Sequence, residues 1–174
     1  MRKNWLLVSV LLVTMLLASC TPKANWQEFQ GPEGDFTIQL PGTPKEEVQV
    51  VNSQAGEIKV HLFNVPLGNF AYVVAYSDYP ADLVTSMGAE DLLNGARDGA
   101  VSNTGGKLLD ESPVEIDGFP GRFLKVQSPD GSGIAQARMY MVGNRLYQIF
   151  VASPKADQDS EDIQSYLESF KLLK

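Results

Sequence analysis

The chain has 174 residues, with 14 lysines and arginines against 21 aspartates and glutamates, which gives a formal net charge of −7. Such an acidic surface repels phosphate backbones and anionic lipid headgroups, so the composition argues against nucleic acid as a partner and against a polybasic membrane patch. The length is sufficient for one hydrophobic core of ordinary size and too short for two domains of typical size.

The first 19 residues have the layout of a signal peptide. Two cations, Arg2 and Lys3, precede an uncharged and largely apolar run over residues 4–19. The small residues that end this run stand directly before Cys20, the only cysteine of the chain. The pattern predicts cleavage before Cys20.

The four residues Leu17-Ala18-Ser19-Cys20 resemble the lipobox of bacterial lipoproteins. The resemblance implies that Cys20 is diacylated on sulfur and holds the chain on the extracytoplasmic side of a membrane. Each buried CH₂ of an acyl chain contributes about 0.8 kcal/mol, so two or three chains give a firm anchor to the lipid bilayer. Thr21 follows the cysteine in place of an aspartate, which in a Gram-negative organism resembles lipoproteins sorted to the outer membrane.

Other interpretations explain this segment less well. A retained membrane-spanning helix needs about 20 apolar residues, more than residues 5–18 supply. An ordinary secretory signal leaves the position of the lone cysteine unexplained, and a structural cysteine would be a free thiol in an oxidising compartment. We therefore divide the chain into a signal peptide (1–19), a lipidated cysteine with a short tether and lead-in (20–34) and one domain (35–174).

Strand patterns dominate the first half of that domain. Alternation predicts a strand over Phe36–Leu40, which the sequence Pro41-Gly42-Thr43-Pro44 ends. A pair of strands is predicted over 47–51 and 57–65, with a turn between them. The almost wholly apolar stretch Phe70–Tyr76 is rich in aromatic and β-branched residues, which is typical of a strand buried on both faces.

The hydrophobic period then changes to that of a helix. Residues 80–84 predict a single turn and residues 89–101 a helix, in which Leu92, Leu93, Ala96 and Ala100 share one face. Gly95 and Gly99 weaken this helix, because each costs about 1 kcal/mol relative to alanine.

Four strands are predicted next, over residues 107–116, 122–127, 134–142 and 145–152. Their connections at 117–118, 129–133 and 143–144 contain residues that accept a positive φ, as hairpin turns require. The last element is a helix capped by Asp159 or Ser160, with Ile163, Tyr166, Leu167 and Phe170 along one face.

This order predicts an α+β domain with a single, mainly antiparallel β-sheet flanked by helices. It resembles the PsbP/Mog1-like fold, an α/β/α sandwich whose terminal helix ends in a Ser-Phe pair, here Ser169 and Phe170. The resemblance covers roughly residues 35–172 and implies an accessory role, photosystem-associated in a cyanobacterium. The chain departs from it at Leu40-Pro41-Gly42, where those proteins commonly carry a Tyr-Pro-x-Gly-Trp-like turn.

Residues suited to catalysis are sparse. His61, the only histidine, lies in an alternating strand, and no Gly-x-Ser-x-Gly elbow occurs. One histidine and an acylated cysteine leave no ligand set for zinc, so the metal ions linked to some PsbP-like proteins do not carry over. We therefore predict no enzymatic activity and no cofactor. A hydrolase would need a serine or carboxylate within hydrogen-bond reach of His61.

Two binding hypotheses follow. The first is a protein-binding or accessory subunit that contacts a membrane or periplasmic protein, with exposed aromatic side chains such as Tyr79 in the contact patch. The alternative is a small-ligand or anion-binding lipoprotein, in which Arg122, Arg138 and Arg145 converge on one sheet face. The alternative requires a concave pocket lined by the last two arginines, and it fails if the arginines lie apart or are paired with acids.

Overall fold

The computed structural model describes residues 24–53 and 56–173, so Cys20 and the predicted signal peptide lie outside the described residues. The strands and helices follow each other as β1 (Gln27–Gln30), β2 (Phe36–Leu40), β3 (Lys45–Ser53), β4 (Gly56–Leu67), β5 (Phe70–Asp78), α1 (Ala81–Met87), α2 (Ala89–Thr104), β6 (Lys107–Ile116), β7 (Phe119–Gln127), β8 (Gly133–Val142), β9 (Arg145–Pro154), α3 (Glu161–Glu168) and β10 (Lys171–Leu172). A 3-10 turn, Lys155–Asp157, precedes α3.

Seven strands form one antiparallel sheet in the order β3-β4-β5-β9-β8-β7-β6. The hairpin turns have the chemistry that the sequence predicts. Between β6 and β7, Asp117 and Gly118 have φ values of 50° and 85°, and positive φ at both central residues is characteristic of a type I′ turn. These short connections place consecutive strands side by side over most of the sheet.

One face of the large sheet is covered by a small sheet, ordered β1-β2-β10, together with α3. The aromatic side chains of β5 and β9 pack there against Phe36 and Phe170. The Tyr166 side chain of α3 is fully buried, and its hydroxyl donates a hydrogen bond of 2.7 Å to the carbonyl of Val73. Ser160, one of the two predicted caps, accepts the N–H of Ile163 at the start of α3.

The opposite face is only partly covered. Helix α2 lies across β7 and β8, where Leu92 and Leu93 are buried against Leu124, Met139 and Met141. The predicted apolar stripe of this helix is therefore confirmed. Its position leaves β3, β4 and part of β5 open on the helix side of the sheet. Among the described residues, no helix is long and apolar enough to cross a membrane.

The predicted α+β class, with an antiparallel sheet between helices, is confirmed. The large sheet is accompanied by a second, three-stranded one, because β1 and β10 both pair with β2. Strand β1 lies in the segment 20–34 that the sequence analysis assigns to the lead-in, and its Phe29 packs against Phe36 and Phe63. The folded domain thus includes residues before Asp35.

Candidate functional site

The three arginines of the anion-binding hypothesis do not converge. Arg122 lies opposite Met139 in the strand register, on the sheet face that α2 covers. Arg138 and Arg145 lie on the other face, opposite Ile149 and Val142 respectively. Ile149, the cross-strand partner of Arg138, lies four positions from Arg145 along β9, which corresponds to about 13 Å.

Each of these arginines is also engaged by acidic or amide side chains. Arg122 donates to Glu90 at 2.7 Å and to Asn94 at 3.0 Å, both on α2. Arg138 donates to Glu168 at 3.2 Å. A carboxylate or phosphate would have to displace these partners, so the structure does not provide the convergent pocket that the anion-binding alternative requires.

Arg145 is the centre of a dense polar cluster. It donates two hydrogen bonds of 2.7 Å to Asp78, one of 2.7 Å to Glu33 and one of 2.6 Å to Asp35. Its guanidinium carbon lies 4.4 Å from the centre of the Tyr76 ring. Its hydrogen bonds hold the pKa of Asp78 below the usual range. The contacts tie the β1–β2 loop to the ends of β5 and β9, which is a structural role.

His61, the residue on which a hydrolase would depend, lies beside Tyr76 and Glu46. Its ring stacks on that of Tyr76 with centroids 4.7 Å apart, and Nδ1 lies 3.9 Å from Oε1 of Glu46, beyond hydrogen-bond distance. Among the described residues, Nδ1 has no hydrogen-bond partner. The arrangement needed by a hydrolase is thus not formed at this nitrogen. In the part of the chain that the structure describes, no group of acidic, histidine or cysteine side chains is arranged to hold a metal ion.

A groove of about 610 Å³ lies on the partly covered side of the sheet. We call it the helix-side groove. Its floor is formed by side chains of β3 and β4, and its walls by α1 and α2. The main apolar contributors are Ile58, Val60, Leu62, Leu83, Met87 and Leu92. Polar side chains of the lining include Gln49, Ser77, Asn103 and Gln148, and Asp91 is the charged member of this lining. Grooves of this size and polarity accommodate apolar ligands or the side chains of a partner.

Tyr79, the aromatic residue predicted for a contact patch, lies in this groove. Its side chain is half-buried and packs at the edge of the α2 core. Its backbone is fixed by Asn144, whose carbonyl accepts the Tyr79 N–H at 2.8 Å and whose side chain donates to the Tyr79 carbonyl at 3.2 Å. Burial raises the pKa of its hydroxyl.

On the α2 side of the groove, two glycines leave space that larger side chains would fill. Gly95 and Gly99 both line it, and a Cβ added at either position would meet no atom within 4 Å. Both lie inside a helix, where each glycine costs about 1 kcal/mol relative to alanine. Packing among the described residues does not require them. In the sequence, the sign of this open helix face is the pair of glycines four residues apart, which places both on the same side of α2.

Strand β3 forms the outer rim of the groove. It is the end strand of the seven-stranded sheet and contributes Gln49 and Val51 to the groove lining. Three of its valines are far more exposed than those of the core: Val48 is 50%, Val50 55% and Val51 46% accessible. The sequence predicts a strand here, but alternation alone does not show that the strand stands at an edge.

No protein-family model matches the sequence, and no curated protein matches it. The structure is similar to the solution structure of the cyanobacterial PsbP protein, CyanoP, from Synechocystis sp. PCC 6803. The TM-score is 0.61 at 15% sequence identity, over 90% of this chain and 99% of that one. The fold is PsbP-like.

Two further solved structures are less similar. A protein from Bacteroides thetaiotaomicron VPI-5482 has a TM-score of 0.48 at 12% identity, over 85% of this chain and 48% of that one. A protein of unknown function from Pseudomonas aeruginosa has a TM-score of 0.39 at 11% identity, over 80% of this chain and 90% of that one. Neither adds to the argument. The PsbP-like fold expected from the order of elements is confirmed by the first structure.

Proposed function

We propose that this chain is a membrane-anchored accessory protein: a PsbP-like domain that is held by lipid on the outer side of a bacterial membrane, binds a protein partner and catalyses no reaction. The observation that carries the proposal is the PsbP-like fold, which extends over 99% of CyanoP and 90% of this chain. The two proteins therefore share one fold over most of their length.

The lipobox-like sequence before Cys20 supports the anchor. The folded domain begins soon after it, since the N–H of Asn25 already donates to the carbonyl of Pro41 at 3.1 Å. Five residues of extended chain reach about 18 Å at most. A lipid on Cys20 would thus hold the domain against the membrane surface, within reach of membrane-embedded proteins.

The arrangement of polar side chains supports a binding role over a catalytic one. The arginines on both sheet faces are neutralised by neighbouring acids, and His61 stacks on an aromatic ring. The helix-side groove with its β3 rim offers an open surface whose lining is mainly apolar. In a cyanobacterium, we propose a photosystem complex as the partner.

Membrane fractionation and mass spectrometry of the N-terminal peptide test the anchor. We expect the processed protein in the membrane fraction, with a diacylated Cys20 at its N-terminus. A Cys20→Ser variant should lose the lipid and appear in the soluble fraction of the envelope. An unmodified Cys20 in a released protein would contradict the anchor, and the partner-binding role would then have to be carried by the domain alone.

A further inference from the structure

We propose that the free edge of β3 binds an extended, basic segment of a protein partner as an additional strand of the seven-stranded sheet. This inference rests on the proposed function and deepens it, because it names the binding surface and the chemistry of the partner. Strand addition of this kind takes its affinity from backbone hydrogen bonds and its specificity from alternate side chains.

Strand β3 is a regular edge strand. Its pairing with β4 runs without a register shift from Lys45 opposite Asn64 to Ser53 opposite Gly56. The strand has nine residues and no proline. In an antiparallel pair, alternate residues direct their N–H and C=O groups away from the partner strand. Within the described residues β3 has a neighbour on one side only, so this row of groups is open to an incoming strand.

The opposite edge of the same sheet, formed by β6, has two features that hinder the addition of another strand. Strand β6 contains a register shift between Leu108 and Asp110, and Pro113 lies in its middle. Bulges and prolines on an edge strand interfere with the addition of another strand. One edge of this sheet therefore carries a register shift and a proline, and the other carries neither.

Strand β3 is also exposed to solvent over most of its length. All residues from 45 to 51 are exposed, so neither layer of the domain covers β3. Val48 and Val50 lie on one face, in register with His61 and Lys59 of β4, and Val51 lies on the other. A new strand beside β3 would place β-branched side chains against these valines, which is the favourable cross-strand pairing in sheets. Its side chains next to Gln49 and Val51 would reach the helix-side groove.

The charge around β3 favours a basic segment over a second copy of this chain. Among the Lys, Asp and Glu residues of β3, of the neighbouring β4 and of the groove lining, four acids outnumber two cations: Glu46, Glu47, Glu57 and Asp91 against Lys45 and Lys59. The chain as a whole has a net charge of −7. A second copy would bring like charge to this edge, whereas lysine or arginine beside the acids is complementary.

The test uses a labelled ten-residue peptide of alternating valine and lysine and the detergent-solubilised full chain. We expect saturable binding, with slowed amide exchange at alternate residues of β3 and none at β6. The double variant Val48→Lys/Val50→Lys should weaken binding by about tenfold or more, because edge lysines oppose strand addition. Leu109→Lys, an exposed apolar residue of β6 with the same charge change, should bind like the parent protein.

Three results would overturn the inference: no slowed exchange in β3 at saturating peptide, equal weakening by Leu109→Lys, or a dimer in sedimentation that the valine double variant abolishes. The last would assign the edge to a second copy. Crosslinking of the natural partner in membranes separates this inference from the proposed function. A partner crosslinked equally well to the valine double variant would overturn the β3 inference and leave the accessory role intact.

Discussion

Replacing Gly95 and Gly99 by alanine should stabilise the domain. Both residues lie inside α2 with ordinary helical backbone, and an added Cβ at either position has no atom within 4 Å. Each substitution therefore gains helix propensity without a steric cost, at about 0.5–1 kcal/mol per site. The pair should raise the free energy of unfolding by about 1–2 kcal/mol, and Tm by about 3–8 °C for a domain of this size.

The assay is thermal and urea unfolding of the parent protein, both single variants and the double variant. Ala96→Gly is the matched control, since Ala96 lies between the two glycines and packs against the α2 core. It should lower stability by about 1 kcal/mol. A double variant with unchanged or lower stability would refute the argument, because it would show that the groove wall is not open in solution.

Two further substitutions test the polar contacts. Arg145→Met should lower the free energy of unfolding by about 2–3 kcal/mol at pH 7 in urea titrations, because it leaves carboxylates without their cation in a partly exposed cluster. The pKa of Asp78 is lowered in the folded state. The ionised Asp78 therefore contributes to the free energy of unfolding above the ordinary aspartate pKa, near pH 4, and this contribution is lost as the pH falls through the lowered pKa. The cost of the variant should thus shrink at pH 3, and an equal cost at both pH values would contradict the pairing. Ser160→Ala should remove the α3 cap and lower the free energy of unfolding by about 1 kcal/mol at an unchanged urea m-value. Ser165→Ala, on the exposed side of α3, is the control and should change the free energy of unfolding little. Equal effects of the two substitutions would argue against the cap.

Local patterns predict much of this fold. Alternation and turn residues locate the strands of the meander, because an Asp-Gly pair favours the positive φ values seen at residues 117–118. The apolar spacing of α3 likewise predicts the face that buries Tyr166. The short strands β1 and β10 were missed, since four and two residues are too few to show a period and their order comes from pairing with β2.

The candidate site depends on information that local patterns lack. Arg145 binds Glu33 and Asp35, which are more than a hundred residues away in sequence. Arg122 lies on the opposite sheet face from Arg138 because the register of β7 against β8 decides its direction. The same holds for β3, whose position at the edge follows from the strand order. Its exposed valines have the same local pattern as buried ones.

Site-specific photo-crosslinking in intact membranes tests the central claim most directly. A photoreactive residue at Met87 or Val51 reports on the helix-side groove and its rim, and one at Leu109 reports on the opposite edge. The account predicts one crosslinked protein partner of defined mass from both groove positions, no such product from Leu109, and loss of the product when Cys20→Ser is added. Crosslinking of the same partner from Leu109 alone, or no product at either groove position, would contradict the account.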